Sequence, residues 1–293
     1  MSIHVGTAPD SWGVWMPSDP RQTPWQRFLD EVAEADYSAI ELGPFGYLPT
    51  DPQSVSDELA RRSLQLAGGT IAGDLSAADA WQSMRATTAS VCNVLEPLGA
   101  RFLVLLDSGH PDSSQTRGGP PKLDEPGWQR LCETVHRLGE YTASRGIAAV
   151  FHPHADTAIQ FEPDIEEFLA LTDPSLVNLC LDVGHHAYAG GDAVRFFRDH
   201  HTRIPYLHLK DVDPRLSERA RVEGWGMGRA VAEGAFVDLG KGCVDFHSLN
   251  RVVGQVDFDG WGIVEQDMFP APFDKPLPIA RRNRQYLRDT GLG

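Results

Sequence analysis

The sequence has little cysteine, a deficit of positive charge and no long apolar run. Its four cysteines, Cys92, Cys132, Cys180 and Cys243, are scattered singly with no CxxC pair. That pattern argues against a disulfide framework and reads as packing residues in a reducing compartment. Lys and Arg number 26 against 41 Asp and Glu, a formal net charge of −15. A nucleic-acid partner demands a concentrated basic surface, so none is expected, and a neutral or carbonyl-bearing small molecule is the easier ligand. The longest apolar runs, such as the one around Phe102 to Leu106, fall far short of the ~20 residues that cross a bilayer, so no membrane partner is expected. The opening MSIHVGTAPDSWG lacks the basic stretch and apolar core of a secretory signal, which makes the cytoplasm the expected location.

Also missing is a glycine-rich phosphate turn. The first strand-like segment runs into APDSWGVW, and neither GWGMG at 224–228 nor DLGKG at 238–242 has the context or spacing of a nucleotide loop. Both read as loop glycines.

What is present is alternation. Strand patterns at Ile3–Thr7, Ala39–Leu42, Gln65–Ile71, 101–106, Ile147–Phe151, 178–182, 204–210 and 262–266 are each followed by a helical pattern or a helix-bearing connection. The helical stretches are Pro24–Ala35, Ser54–Leu64, Ala78–Leu98, Pro126–Arg145, Asp164–Leu171, Asp192–His200 and Ile279–Leu287, with a Gly/Pro-rich loop at Pro111–Pro121. Eight such units without a composition break predict a single (β/α)8 TIM barrel over residues 1–293.

In that fold the carboxyl ends of the strands converge on one mouth, where catalytic side chains gather. The polar residues there are Glu41, Asp107, His152, His154, Asp182, His185, His208, Lys210 and Glu265. His152, Asp182, His208 and Glu265 close four successive strands and supply two imidazoles and two carboxylates, a set suited to one divalent metal. Mn²⁺ or Co²⁺ is the leading expectation, with Zn²⁺, Fe²⁺ or Mg²⁺ as alternatives.

At this point a resemblance emerges. LDVGHHAYAGGD at 181–192, YLHLKDV at 206–212 and GWGIVEQD at 260–267 resemble the sixth, seventh and eighth strand signatures of the sugar phosphate isomerase/epimerase-like barrels related to xylose isomerase. That family holds one divalent metal with Glu, Asp, His and Glu, and the last three correspond to Asp182, His208 and Glu265. The first Glu is replaced by His152 in the HPH of residues 152–154. This departure, together with GKGCVDF after the seventh strand, APDSWGVW with Trp12, and AEADYSAIELGPFG with Glu41, is similar to the inosose dehydratase branch.

The resemblance implies a metal-dependent lyase acting on 2-keto-myo-inositol or a similar cyclic keto-polyol. Polarisation of the ketone acidifies the α-proton, a base removes it, and a β-hydroxyl leaves with help from an acid. His154 is the expected base, with orientation of a ligand or substrate hydroxyl as its alternative. His185 matches the family's D-x-x-H and is expected to touch substrate oxygen or donate a proton. Lys210 is expected to steady enolate charge or serve as the acid, the alternative being a salt bridge to Asp211 or Glu265. Trp12, Glu41 and Asp107 are the expected substrate contacts. Glu41 is equally a partner for a ligating histidine, and Trp12 and Trp15 are equally core lids. His186, His200 and His201 read as exposed or capping. A keto-sugar isomerase, an epimerase or a 3-keto-glycoside lyase would use the same first half-reaction, and homo-oligomerisation is left open.

Overall fold

Parallel strands that read as near-continuous apolar runs need cover on both faces, and here they obtain it by closing on themselves. In the computed structural model, which describes residues 3–108 and 122–293, ten strands form in chain order. They are β1 His4–Thr7, β2 Ala39–Glu41, β3 Gln65–Gly73, β4 Phe102–Asp107, β5 Ala148–His152, β6 Val177–Asp182, β7 Tyr206–Leu209, β8 Asp211–Val212, β9 Phe236–Val237 and β10 Trp261–Val264. β1 to β7 and β10 close a barrel in the order β1-β10-β7-β6-β5-β4-β3-β2, all neighbours parallel. This is the (β/α)8 TIM barrel that the alternation predicts. The expected Gly/Pro-rich loop at 111–121 lies outside the described residues. Among the described residues, no helix is long and apolar enough to cross a membrane.

The helices pack apolar faces onto the outside of the barrel. Phe28 and Val32 of helix Trp25–Glu34, Val91 and Leu95 of Ala80–Leu95, Leu131 and Leu138 of Glu125–Ala143, and Phe168 of Glu162–Leu171 are all fully buried there. Each such side chain contributes roughly 1.5–3 kcal/mol of transfer free energy. Much of the acidic excess is used to start helices. Asp51, Asp124, Asp192, Asp213 and Asp245 each accept a backbone N–H of the first turn, an arrangement worth about 1 kcal/mol apiece.

Inside the barrel a layer of Ala8, Ala39, Ala67, Val104, Val150, Cys180, Tyr206 and Ile263 fills the centre, one residue from each barrel strand or its immediate end. Alternate residues of a strand share a face, so the next residues on the same side sit two positions later. In four of the eight these are Glu41, His152, Asp182 and His208, while Glu265 follows directly on β10 and Asp10 lies in the turn after β1. The apolar layer is therefore the floor of a polar one.

The region between β7 and helix Phe246–Gln255 is more than a plain connection. It contains helices Pro214–Glu223 and Met227–Ala232 and the antiparallel β8–β9 pair. Val212, Ala220, Trp225, Ala230, Val231, Ala235 and Phe236 give it a small core of its own. The stretch SERARVE hides this helix because its apolar residues are too few to show a stripe.

Candidate metal centre and active site

The sixth strand sets the geometry. Asp182 ends β6 and begins the short helix Val183–Tyr188, and its Oδ1 accepts the backbone N–H groups of Gly184 and His185, both at 2.8 Å. Helix capping thus fixes the carboxylate through one oxygen and aims Oδ2 into the barrel mouth. Gly184 is required there, since a Cβ would lie 2.7 Å from the side chain of Lys210.

Two imidazoles converge on that oxygen. His152 has its Nδ1 2.9 Å from the Pro153 carbonyl; a carbonyl only accepts, so Nδ1 carries the proton and the Nε2 lone pair faces inward, 3.9 Å from Asp182 Oδ2. His208 presents Nε2 to Glu41 Oε2 at 3.1 Å. Its Nδ1 faces Asp182 Oδ2 at 3.9 Å and Glu265 Oε2 at 3.0 Å. Glu41 is in turn held by the Tyr206 hydroxyl at 3.0 Å and by Thr70 Oγ1. Its contacts are therefore those of a carboxylate partner to His208. A carboxylate behind the ring fixes which nitrogen points at the ion and raises its basicity.

The ligand atoms of His152, Asp182, His208 and Glu265 all lie within 4.8 Å of one another. Donors on opposite sides of one ion, at bonds of roughly 2.0–2.2 Å, stand about 4.0–4.4 Å apart, so a small contraction closes this group on a metal. The buried atoms make the same point. Asp182 Oδ2 and His208 Nδ1 make no well-aligned hydrogen bond among the described residues, their near neighbours being the charged Lys210 Nζ at 3.1 Å and Glu265 Oε2 at 3.0 Å. Two imidazoles and two carboxylates fit a divalent ion of borderline hardness.

Lys210 lies alongside, its Nζ 3.1 Å from Asp182 Oδ2, 3.1 Å from Glu265 Oε2, 3.0 Å from Asp267 Oδ2 and 3.0 Å from His185 Nε2. Burial opposes its charge, but Asp182, Asp267 and Glu265 hold the ammonium well above its usual range. Glu265 is held well below the carboxylate range by His208 and Lys210, against the effect of burial. Burial depresses His154, and Lys210 adds to the effect; burial and then His154 push His185 down further. One group stays protonated while its neighbours stay unprotonated, which is the separation that acid–base chemistry at one site requires.

His154 is only half-buried, unlike His152, His185 and His208. Its Nδ1 lies 2.7 Å from the Ala155 carbonyl, which leaves Nε2 with the lone pair. Its ring centroid is 3.8 Å from that of His185 and 5.3 Å from that of His152. The seven residues His152, His154, Asp182, His185, His208, Lys210 and Glu265, named from strand ends alone, are thus brought into one cluster.

Trp12 is not brought there. It is fully buried in the outer core, donates its indole N–H to Glu31 Oε2 at 2.8 Å and packs edge-on against Phe28. These are the contacts of a core lid, not of an open substrate wall. Asp107 ends β4 and accepts the Leu75 backbone N–H at 3.1 Å. His186, expected to be exposed or capping, is buried against Phe196 and 3.3 Å from Glu162 Oε2. His201 is half-buried, its Nδ1 3.0 Å from the Arg198 carbonyl, and His200 stacks partly covered on Phe196.

Three further residues stand around the cluster that the strand ends predict. Asp267, two beyond Glu265, holds Lys210 and lies 3.6 Å from His185. Phe236 roofs the cluster, its ring 5.4 Å from His185 and 5.6 Å from the Lys210 ammonium. Asp211 receives four backbone N–H groups, from Val212, Gly240, Gly242 and Val244, at 2.9–3.0 Å. The glycines of DLGKG therefore wrap an internal carboxylate next to Lys210, and a Cβ on Gly242 would sit 2.2 Å from Asp211 Oδ1. A surface groove of about 770 Å³ lies elsewhere, along helix Pro214–Glu223 and beside Asp156 and Tyr188, and contains none of the clustered groups.

The chain is 30% identical over 291 residues to the inosose dehydratase of Geobacillus kaustophilus (strain HTA426), covering 97% of this chain and 94% of that protein. It is 26% identical over 292 residues to the inosose dehydratase of Clostridium botulinum (strain Alaska E43 / Type E3), covering 98% and 97%. In fold it is similar to a crystal structure of the IOLI protein with a bound zinc atom, at a TM-score of 0.74 and 12% identity, over 99% of this chain and 98% of that one. Residues 29–290 match the family described as the xylose isomerase-like TIM barrel, and with the closed eight-stranded barrel already in view, the chain belongs to that family.

Proposed function

We propose that this chain, acting as one domain over residues 1–293, is a metal-dependent hydro-lyase that removes water from 2-keto-myo-inositol or a related cyclic keto-polyol. The observation that carries the reading is the four-residue cluster in which His152 takes the first ligand position, in a chain similar over nearly its whole length to proteins named inosose dehydratase. His152, Asp182, His208 and Glu265 would hold the ion, Mn²⁺ or Co²⁺ first, with Zn²⁺, Fe²⁺ or Mg²⁺ as alternatives. When bound, the ion would supply Lewis acidity toward a ketone oxygen.

The remaining work falls to the chain's own side chains. His154 Nε2 carries the lone pair and takes the proton from the carbon next to the ketone. Lys210 is kept protonated by the carboxylates around it and gives a proton to the β-hydroxyl as its C–O bond breaks. The electron pair of the broken C–H bond becomes the new C=C bond, water leaves, and transfer of one proton from His154 back to Lys210 resets the pair. His185, between the two, accepts from Lys210 and keeps its ammonium aimed. Glu41 orients His208, while Phe236 excludes bulk water, which strengthens each of these interactions.

The test is incubation of the protein with 2-keto-myo-inositol, with and without added Mn²⁺ or Co²⁺, followed by mass spectrometry. Loss of one water is expected with metal only. His152→Ala is expected to lose metal binding, and His154→Ala to keep metal but lose dehydration by about 10²–10⁴-fold. Full activity in both variants would remove the proposed site. A product of unchanged mass would make the enzyme an isomerase or epimerase.

A further inference from the structure

Asp10 is a partly exposed residue whose two carboxylate oxygens are nevertheless covered, and neither the metal cluster nor the base–acid pair employs it. It follows β1 in a single 3-10 turn, Pro9–Trp12, whose backbone is closed by the Gly13 N–H on the Asp10 carbonyl at 2.9 Å. Its side chain has no such partner. Both carboxylate oxygens are sealed from bulk water and accept no hydrogen bond among the described residues. The charges that act on it are those of the mouth: Glu265, Lys210, Asp267 and His208. Burial, and then the Glu265 carboxylate, raise its carboxyl well above the usual range.

A sealed carboxyl group with no donor is expensive, and folds retain one where something else supplies the donors. Asp10 is not one of the four residues whose ligand atoms converge within 4.8 Å, so the metal is not its partner. Lys210 Nζ lies within 3.0–3.1 Å of Asp182, Glu265, Asp267 and His185, and Asp10 is not among these near neighbours. A bound ligand can bring the missing donors. A polyol presents adjacent hydroxyls, and the two oxygens of one carboxyl group accept from a vicinal pair.

We infer that Asp10 binds hydroxyl groups of the polyhydroxylated substrate on the β1 side of the mouth, and so decides which carbon is offered to His154 and which hydroxyl to Lys210. This rests on the keto-polyol reading above. Asp10 would be a specificity-determining residue: it touches the substrate away from the bonds that change, across the barrel mouth from the β5 end that carries His154.

The test uses the Mn²⁺-loaded full chain and Asp10→Asn, which keeps shape but replaces one acceptor by a donor. Binding of myo-inositol, which has the hydroxyls but no ketone, is measured by calorimetry beside turnover of 2-keto-myo-inositol. The variant is expected to bind myo-inositol on the order of 10–100-fold more weakly and to raise KM more than it lowers kcat. Mn²⁺ affinity and stoichiometry are expected to stay within about 2-fold of the parent's. A monodeoxy-inositol lacking the contacted hydroxyl should bind parent and variant equally. Unchanged myo-inositol binding in a folded, metal-loaded variant would overturn the inference, as would loss of a second equivalent of Mn²⁺, which would make Asp10 a ligand. Should Asp10→Asn fail to fold, Asp10→Ser is measured in the same way. If the parent neither binds myo-inositol nor converts the ketone, the keto-polyol reading itself fails and this inference falls with it; parent turnover with an unaffected variant removes Asp10 alone.

Discussion

Two adjacent layers of the barrel interior are built from the same strands and differ in almost everything else. The lower one, Ala8, Ala39, Ala67, Val104, Val150, Cys180, Tyr206 and Ile263, is apolar apart from one hydroxyl and one thiol. The upper one, at the ends of the same strands or just beyond them, carries Asp10, Glu41, His152, Asp182, His208 and Glu265. The lower layer gains free energy by leaving water. The upper layer loses it, because several carboxylates share a dry volume with one ammonium and a few imidazoles. The difference teaches where the molecule spends stability: the floor secures the barrel, and the ring above it is tolerated for what it can bind.

The sharpest way to break this comparison is to move a charge down one layer. Val150→Asp would place an unpaired carboxylate in the floor and is expected to cost about 3–5 kcal/mol or more, enough to unfold the chain. Urea denaturation and the yield of folded protein measure it; a stable Val150→Asp protein would mean the floor is wet.

Metal should act in the opposite sense on the upper layer. Divalent ion binding only the folded state at 100 times its dissociation constant stabilises by ≈ 2.7 kcal/mol, so the melting temperature of the parent should climb with added Mn²⁺. Asp182→Asn should erase that rise yet melt near the parent without metal, because asparagine caps a helix about as well as aspartate. Calorimetric scans of both proteins decide, and a retained Mn²⁺ shift in the variant would remove Asp182 from the ligand set.

Glu41→Gln tests support rather than ligation. The glutamine leaves the four donors in place but weakens the carboxylate behind His208, and a 10–100-fold loss of metal affinity is expected by titration calorimetry. Equal affinity would show that His208 is oriented by its packing alone.

The smallest effect belongs to the link between layers. Tyr206 sits in the floor and reaches up to Glu41 at 3.0 Å. Tyr206→Phe removes that donor but leaves Glu41 with Thr70 and His208, and a loss of about 1 kcal/mol in stability is expected from thermal melts, with metal affinity changed by less than in Glu41→Gln.

Much of this was legible in the linear chain. The eight strand segments fall within a few residues of their predicted places, because apolar runs flanked by polar helices have few other ways to bury themselves. The seventh strand is shorter than the run that announces it, Tyr206–Leu209 within 204–210, and Glu265 stands just past β10 rather than inside it. Seven of the site residues were readable because a barrel forces strand ends together. Trp12 was misleading, since an indole in a first loop points either to the mouth or to the helices, and only the Glu31 carboxylate in helix Trp25–Glu34 selects the latter. Asp10 and Asp267 were missed because acids beyond strand ends look like surface loop residues until the mouth closes round them.

The sequence by itself determined the barrel, its register of apolar and ionisable positions, and which residue types gather at one end. Those follow from local periodicity and from the short range of the chain's hydrogen bonding. Only the tertiary structure decided which atoms face inward. The proton of His152 is set by the Pro153 carbonyl, that of His208 by Glu41 from a distant strand, and the aim of Asp182 by the helix it caps. Lone-pair direction depends on partners in space, and two strands far apart in the chain, β2 and β7, must already be in place before Glu41 can meet Tyr206 and His208.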